Sequence, residues 1–414
     1  MPISFSPPSQ DAPSLRRAIL ARVPAKIDIG PVYTVDPARR AAYAGGAATT
    51  AAAGAGAAGT AAAPSGFAPV ERELVFDVDL TDYDDVRTCG SGGHICARCW
   101  PLMAVAVAVV DAALEADFGF AHRLWVFSGR RGVHCWVSDA RARGLTDEAR
   151  SAVASYLSLY KGVEEGVARL AIPPPGSAAP LHPSVERAAG LLASAWTDTI
   201  LPAQRWLDGP ATWDRILAHI PDEVVRARLA SRWAREGAIA EGNDGRVSVR
   251  RWGELEAEVA KEARPAPSDA KNAAVRDRKA AIARAPLRAM LACAYPRLDV
   301  DVSKKRNHLL KAPFCVHPKT GKVCVPFDAA DAAGFDPDGV PTVGDLVAGA
   351  AGKGKAGGGK AGGGGEGGPG WAGSALEPAV RFFADSFLAP LAVDSKAALA
   401  AKAAEAAAAP TLAW

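Results

Sequence analysis

No apolar run in these 414 residues is long enough to span a bilayer. The longest, residues 102–110, is stopped by Asp111, and a spanning helix needs about 20 apolar residues. The opening stretch, MPISFSPPSQDAPSLRRAIL, lacks the apolar centre of a secretory signal. Strong charge of one sign is also missing. With a net charge of +3, any site for phosphate or nucleic acid must be local. Cysteine is scarce and odd in number, seven, and three of them are clustered. That argues against a disulfide framework and for a metal site in a reducing compartment. These absences predict a soluble, intracellular chain without membrane contact. Large apolar side chains are nearly absent from residues 41–66, AAYAGGAATTAAAGAGAAGTAAAPSG. Such a tract cannot offset its ordering entropy and is expected to be a disordered insertion. Residues 348–370 have the composition of a Gly/Lys linker.

The chemistry concentrates in residues 71–99, ERELVFDVDLTDYDDVRTCGSGGHICARC. Residues 74–80 alternate as a strand does. Leu74, Phe76, Val78 and Leu80 share one face, and Val75, Asp77 and Asp79 share the other. Two carboxylates side by side repel unless something positive lies between them, and Mg²⁺ suits such a pair. A D-x-D alone is also what a solvated strand end looks like. Cys89, Cys96 and Cys99, with His94 between them, have the spacing of a structural zinc knuckle. Three thiolates need a fourth ligand. His94, in a loop with Gly90, Gly92 and Gly93, is the nearest candidate. The alternative is a solvated His94, with water or a remote group completing the site.

Further elements follow in order. KIDIGPVY, residues 26–33, reads as a strand after a helical patch at residues 15–23. Trp100-Pro101 opens a buried helix over residues 102–117, which Gly119 ends. Residues 122–139, HRLWVFSGRRGVHCWVSD, read as a hairpin. Its turn, residues 128–132, presents Arg130 and Arg131 near His134. Arg forks match phosphate oxygens, although an Arg-Arg turn is commonly only a solvated tip. Residues 146–262 have helical spacing, with Trp196, Trp206, Trp213 and Trp233 as core residues. Residues 295–327 read as β again. There Asp299 and Asp301 share one face of a second acidic strand, and His308, Lys311 and His317 follow. An amphipathic helix is expected over residues 376–391.

Together these strings resemble the catalytic small subunit of eukaryotic-type DNA primase, in the archaeo-eukaryotic primase family. KIDIGPVY, ELVFDVDLTDYDDVR, ICARCW, DFGFAHRLWVFSGRRGVHCWVSDARAR, YLSLYKG, YPRLDVDVSK, NHLLKAPFCVHPKTGKVCVPFD and SALEPAVRFF carry the resemblance, in order along the chain. It implies an α/β (α+β) primase catalytic core with mixed sheets, interrupted by an all-helical subdomain and carrying a zinc knuckle. The expected divisions are an N-terminal segment (1–40), the insertion (41–66), a leading core segment with the knuckle (67–145), the helical subdomain (146–285), a returning core segment (286–347), a linker (348–372) and a terminal helix with an Ala-rich tail (373–414).

The resemblance further implies nucleotidyl transfer with two catalytic Mg²⁺ or Mn²⁺ ions on Asp77, Asp79 and Asp299. Asp301 ranks lower, because that position is not reliably acidic in the family. Ser128, Arg130, Arg131 and His134 would hold the incoming triphosphate. Lys311 and His317 would add phosphate contacts, and His308 would lie near the ribose. The resemblance implies structural Zn²⁺ on Cys89, Cys96 and Cys99, and the reading of the loop adds His94 as the fourth ligand. The implied partners are the primase large subunit, the DNA polymerase α complex, a single-stranded DNA template with its RNA primer, and nucleoside triphosphates, all in the nucleus. The chain departs from the family in two places. No counterpart of the family's N-terminal aromatic and basic block precedes KIDIG, and Gly90 stands where a second, adjacent cysteine is usual. The alternatives are a non-catalytic nucleic-acid-binding scaffold subunit or a repair polymerase of the wider superfamily.

Overall fold

The computed structural model describes residues 12–43, 66–164, 167–177, 179–236, 244–355 and 371–408. Most of the expected insertion (44–65), most of the Gly/Lys linker (356–370) and the last six residues lie outside these. Ten strands are present among the described residues: β1 Asp28–Ile29, β2 Val32–Tyr33, β3 Pro69–Glu71, β4 Leu74–Asp79, β5 Arg123–Phe127, β6 Gly132–Val137, β7 Tyr160–Glu164, β8 Val167–Leu170, β9 Leu310–Lys311 and β10 Pro326–Phe327. None of the described helices is long and apolar enough to cross a membrane.

The central sheet has the order β10-β5-β6-β4. Its pairings are antiparallel, as are those of the three two-stranded sheets, so the sheets are not mixed as expected. Alternation along the strands gives the sheet two apolar faces. Leu74, Phe76, Val78, Val133, Cys135 and Val137 point to one, which packs with the helix Trp100–Ala116 in the main core. Proline at the second position of that helix fits its first turn. Val75, Leu124, Val126 and Trp136 point to the other face, under Val302, Leu310, Cys324 and Phe387.

β4 lies at an edge of this sheet, and its free edge is covered rather than left open. The covering segment, Val300–Lys304, is a short helix and not the second acidic strand expected there. Asp299 is its N-cap, accepting from the Asp301 N–H at 3.1 Å. The Asp299 N–H donates to the Asp77 carbonyl (3.0 Å), and Ser303 Oγ donates to the Val75 carbonyl (2.6 Å). The expected β region after residue 305 shrinks to β9, β10 and isolated bridges at Val316–Val323 and Lys322–Thr342.

The expected all-helical stretch contains a β-hairpin, β7–β8, between helix Asp147–Leu157 and helix Pro183–Ala195. Gly162 has φ +93° within it, and Arg297 stacks over Tyr160 at 4.0 Å. Between Pro183 and Ala294 the regular elements among the described residues are all helices. Trp196, Trp206, Trp213 and Trp233 are buried, and the guanidinium of buried Arg251 lies over Trp213 and Trp233. The linker expectation changes at its start. Residues 348–355 belong to helix Val343–Lys355, and the Ala-rich end is helical to Ala408. The KIDIGPVY strand is split at Gly30 into β1 and β2.

Candidate active site

The register of β4 on β6 places Asp77 opposite His134 and Asp79 opposite Gly132. A Cβ at Gly132 would stand 2.4 Å from the Val78 carbonyl oxygen and 3.2 Å from Asp79 Cα. Glycine is therefore what lets the turn close against the acidic strand. Within the turn the Gly132 N–H donates to Ser128 Oγ (3.0 Å), and the Ser128 N–H donates to the Gly132 carbonyl (2.9 Å). Gly129 has φ +86°, and a Cβ there would lie 2.7 Å from His317 Cβ. Lys311 Nζ and the Cys324 thiol both donate to the Ser128 carbonyl, at 2.5 and 3.1 Å. Thr320 Oγ1 donates to the Gly129 carbonyl at 2.7 Å. The turn is thus held from below by the segment that carries Lys311 and His317.

The electrostatics divide into two adjoining fields. On the acidic side, burial pushes the Asp77 carboxyl up to about 7, with Asp79, Asp299 and Asp82 adding to the effect in that order. Asp82 is raised by burial and then by Asp79 and Asp299. It sits on the 3-10 turn Leu80–Tyr83 that Asp79 caps, and the sequence reading missed it. The acidic string TDYDD that begins at Thr81 was the signal, because one tight turn returns Asp82 to the strand end. On the basic side, burial and then Lys311, Arg130, Arg131 and Lys319 hold His317 down to about 4. Burial and Lys311 hold His134 down to about 3. His134 is therefore a neutral imidazole 3.7 Å from Asp77 Oδ1, and its buried Nδ1 has no partner.

Asp77, Asp79, Asp299, Ser128, Arg131, His134, Lys311 and His317 thus come to one end of the central sheet. Arg130 reaches sideways, with its guanidinium packed on Gly93 of the cysteine loop. His308 is exposed, and its backbone carbonyl accepts from Arg72 Nε at 3.4 Å. Asp301 is exposed and pairs with Lys304 at 3.0 Å. The three carboxylates do not close to within 4.8 Å of one another. Asp79 is instead covered by Arg131, whose Nε is 2.7 and 2.8 Å from its two oxygens. Half-buried carboxylates crowded with other acidic groups at one strand end fit a polyvalent cation.

The acidic cluster has a consequence for stability. Asp77 and Asp82 are raised in the folded state, so their contribution is fully present below the ordinary carboxylate range. It is lost as pH rises through the folded value, which for Asp77 is about 7. Chelator-treated protein is expected to lose stability between about pH 4 and 7, as read by denaturant midpoints. A midpoint that rises across that window would contradict the cluster.

Among the described residues, Cys89, Cys96 and Cys99 form the one group whose ligand atoms all lie within 4.8 Å. The Cys89–Cys99 and Cys96–Cys99 sulfur separations are 3.1 and 3.4 Å. The Cys89–Cys99 hydrogen bond lowers Cys89 to about 7 and raises Cys99. This cluster of three soft sulfur donors fits zinc. His94 does not join it. Its side chain is exposed and its ring lies against Gly90, where a Cβ would meet Cδ2 at 2.4 Å. Buried Arg87 shapes the loop, donating to the carbonyls of His94 (2.7 Å) and Gly92 (3.1 Å) and to Asp84.

Comparison with known proteins adds the lineage of this arrangement. The family model described as DNA primase small subunit matches residues 76–329. The chain is similar to the DNA primase small subunit of Schizosaccharomyces pombe, with 37% identity over 80% of this chain and 65% of that protein. For the Drosophila melanogaster DNA primase small subunit the figures are 38%, 80% and 68%, and for that of Caenorhabditis elegans 34%, 80% and 72%. The chain therefore spans about two thirds of the length of these curated relatives.

Proposed function

Because the chain belongs to the DNA primase small subunit family, we propose that it synthesises short RNA primers on single-stranded DNA at the start of replication. The observation that carries this reading is the contact between the two fields. A cluster of carboxylates at the end of β4, with Asp77 and Asp79 half-buried and Asp82 and Asp299 exposed, adjoins a glycine-built turn carrying Arg130 and Arg131, with Lys311 beneath it. Nucleotidyl transfer needs both, and it needs little covalent chemistry from the protein.

In this proposal Asp77, Asp79 and Asp299 hold two Mg²⁺ or Mn²⁺ ions, with Asp82 as a fourth carboxylate beside them. When bound, these ions would supply activation of the 3′-hydroxyl and neutralisation of the leaving pyrophosphate. Arg131 and Arg130 bind the triphosphate as planar forks, and Lys311 as a point charge. They offset the charge that spreads over the phosphates in the transition state. His134 and His317 stay neutral in this basic surrounding, so each can donate one ring N–H to a phosphate oxygen without titrating near pH 7. Ser128 ties the turn closed. His308 is assigned to the ribose side on resemblance alone.

Cys89, Cys96 and Cys99 are proposed to hold Zn²⁺ as a structural centre between the acidic strand and the helix Trp100–Ala116. The setting of the reaction is proposed to be the nucleus, with a primase large subunit and DNA polymerase α as partners. The decisive experiment is synthesis from radiolabelled ATP on a single-stranded template, with and without a large subunit. Short ribonucleotide products that require both template and Mg²⁺ or Mn²⁺ are expected. Their absence under both conditions would overturn the catalytic reading, which the family relatives favour over a scaffold.

A further inference from the structure

One of the side chains assigned to the triphosphate, Arg131, is bound to a carboxylate instead. Arg131 Nε–H bisects the Asp79 carboxylate, 2.7 Å from Oδ1 and 2.8 Å from Oδ2. A cation held by both oxygens would occupy that same approach. The two backbones cannot separate to resolve the conflict. Asp79 is in register with Gly132, and the Leu80 N–H donates to the Arg131 carbonyl at 3.2 Å. The side chains can separate, because Arg131 is 27% exposed and Asp79 30%. Arg130, one residue earlier, packs on Gly93 instead.

We propose that Arg131 is a resident counter-ion for Asp79, which it surrenders when a divalent cation binds and then applies to the triphosphate. The inference rests on the functional reading above. It adds that the cation and nucleotide sites are coupled through one side chain. While Arg131 covers Asp79, the carboxylate is neutralised and the guanidinium is unavailable to phosphate. A divalent cation on Asp79 releases Arg131 towards the triphosphate, and a triphosphate that draws Arg131 away uncovers Asp79. Each ligand therefore strengthens the other, and the coupling is reciprocal by linkage.

The test uses the full chain and Mn²⁺ alone, with free Mn²⁺ followed by electron paramagnetic resonance. Arg131→Gln is expected to bind Mn²⁺ more tightly than wild type by about fivefold or more in the absence of nucleotide. Arg130→Gln should stay within about twofold of wild type, since it leaves the Asp79 pair intact. Arg131→Lys should fall between, because an ammonium restores charge without the fork. In a second arm, fluorescent ATP is titrated with and without Mn²⁺. The enhancement of its binding by Mn²⁺ should be smaller in Arg131→Gln than in wild type. Mn²⁺ affinity in Arg131→Gln that is unchanged or weaker would overturn the counter-ion role. If Asp79→Asn still abolishes Mn²⁺ binding in that case, the functional reading survives. Mn²⁺ binding absent from wild type with and without ATP would overturn both.

Discussion

Asp77→Asn is expected to make the chelator-treated protein more stable at pH 8 and to abolish nucleotide transfer. The two effects share one cause. Asp77 is half-buried beside Asp79, Asp299 and Asp82, and its partial burial with those neighbours pushes its carboxyl from 3.8 up to about 7. An ionised group in that position carries on the order of a few kcal/mol of unfavourable interaction. Asparagine keeps the volume and removes the charge, so a gain of about 1–3 kcal/mol in unfolding free energy should follow. The lost carboxylate is also a proposed cation ligand, and several kcal/mol of transition-state stabilisation go with it. That loss corresponds to a rate decrease of about a thousandfold or more. A residue whose role was only structural would show the opposite sign in the first measurement. Urea denaturation and primer extension on the same preparation decide the matter. An Asp77→Asn protein that is both less stable and active would remove the acidic cluster from the mechanism.

The features of this site that were legible in the sequence are those where period and spacing were unambiguous. Leu74, Phe76, Val78 and Leu80 alternate with Val75, Asp77 and Asp79, and a period of two with bulky apolar residues admits little but a strand. The two strands around SGRRG were legible for the same reason. Asp299 was harder. LDVDV alternates too, but an aspartate that can cap its own following N–H also begins a helix, and five residues are too few for period to decide. The acidic side chain reaches the same place either way, because the Asp299 N–H is fixed to the Asp77 carbonyl. The hairpin Tyr160–Leu170 was missed since its surroundings are rich in Ala, Arg and Glu, while its stability comes from tertiary contacts such as Arg297 on Tyr160. His94 has the right chemistry and spacing for zinc, yet its ring lies on Gly90. Spacing alone does not say which way a loop side chain turns.

Arg150 was not singled out in the sequence, and its loss is expected to have the largest effect on stability. It is 1% exposed and has no carboxylate partner among its hydrogen bonds. Its guanidinium donates to five backbone carbonyls. Nε reaches Leu145 (3.1 Å) and Nη1 reaches Glu73 (3.0 Å), while Nη2 reaches Ala142 (3.2 Å), Arg143 (3.1 Å) and Arg72. Burial, with Arg72 and Arg306 nearby, lowers its pKa to about 10, so it remains charged at neutral pH. One side chain on helix Asp147–Leu157 thereby ties the turn after the hairpin to the residues that lead into β4. Arg150→Met fills a similar volume but removes the guanidinium donors from the Leu145, Glu73 and Arg72 carbonyls, while those of Ala142 and Arg143 keep the Leu145 and Arg72 N–H groups. Each such group costs about 1–3 kcal/mol when unmet, and relaxation recovers some of the sum. The expected loss is about 3–5 kcal/mol in urea denaturation. Arg150→Lys should recover only a fraction, because three N–H groups from one nitrogen cannot span five carbonyls. Because the tie is to the start of β4, residual folded Arg150→Met protein should also bind cations more weakly, although Arg150 touches none of the acidic residues of the site. A loss under about 1 kcal/mol for Arg150→Met would mean that water reaches these carbonyls and that the arginine is not what closes this corner of the core.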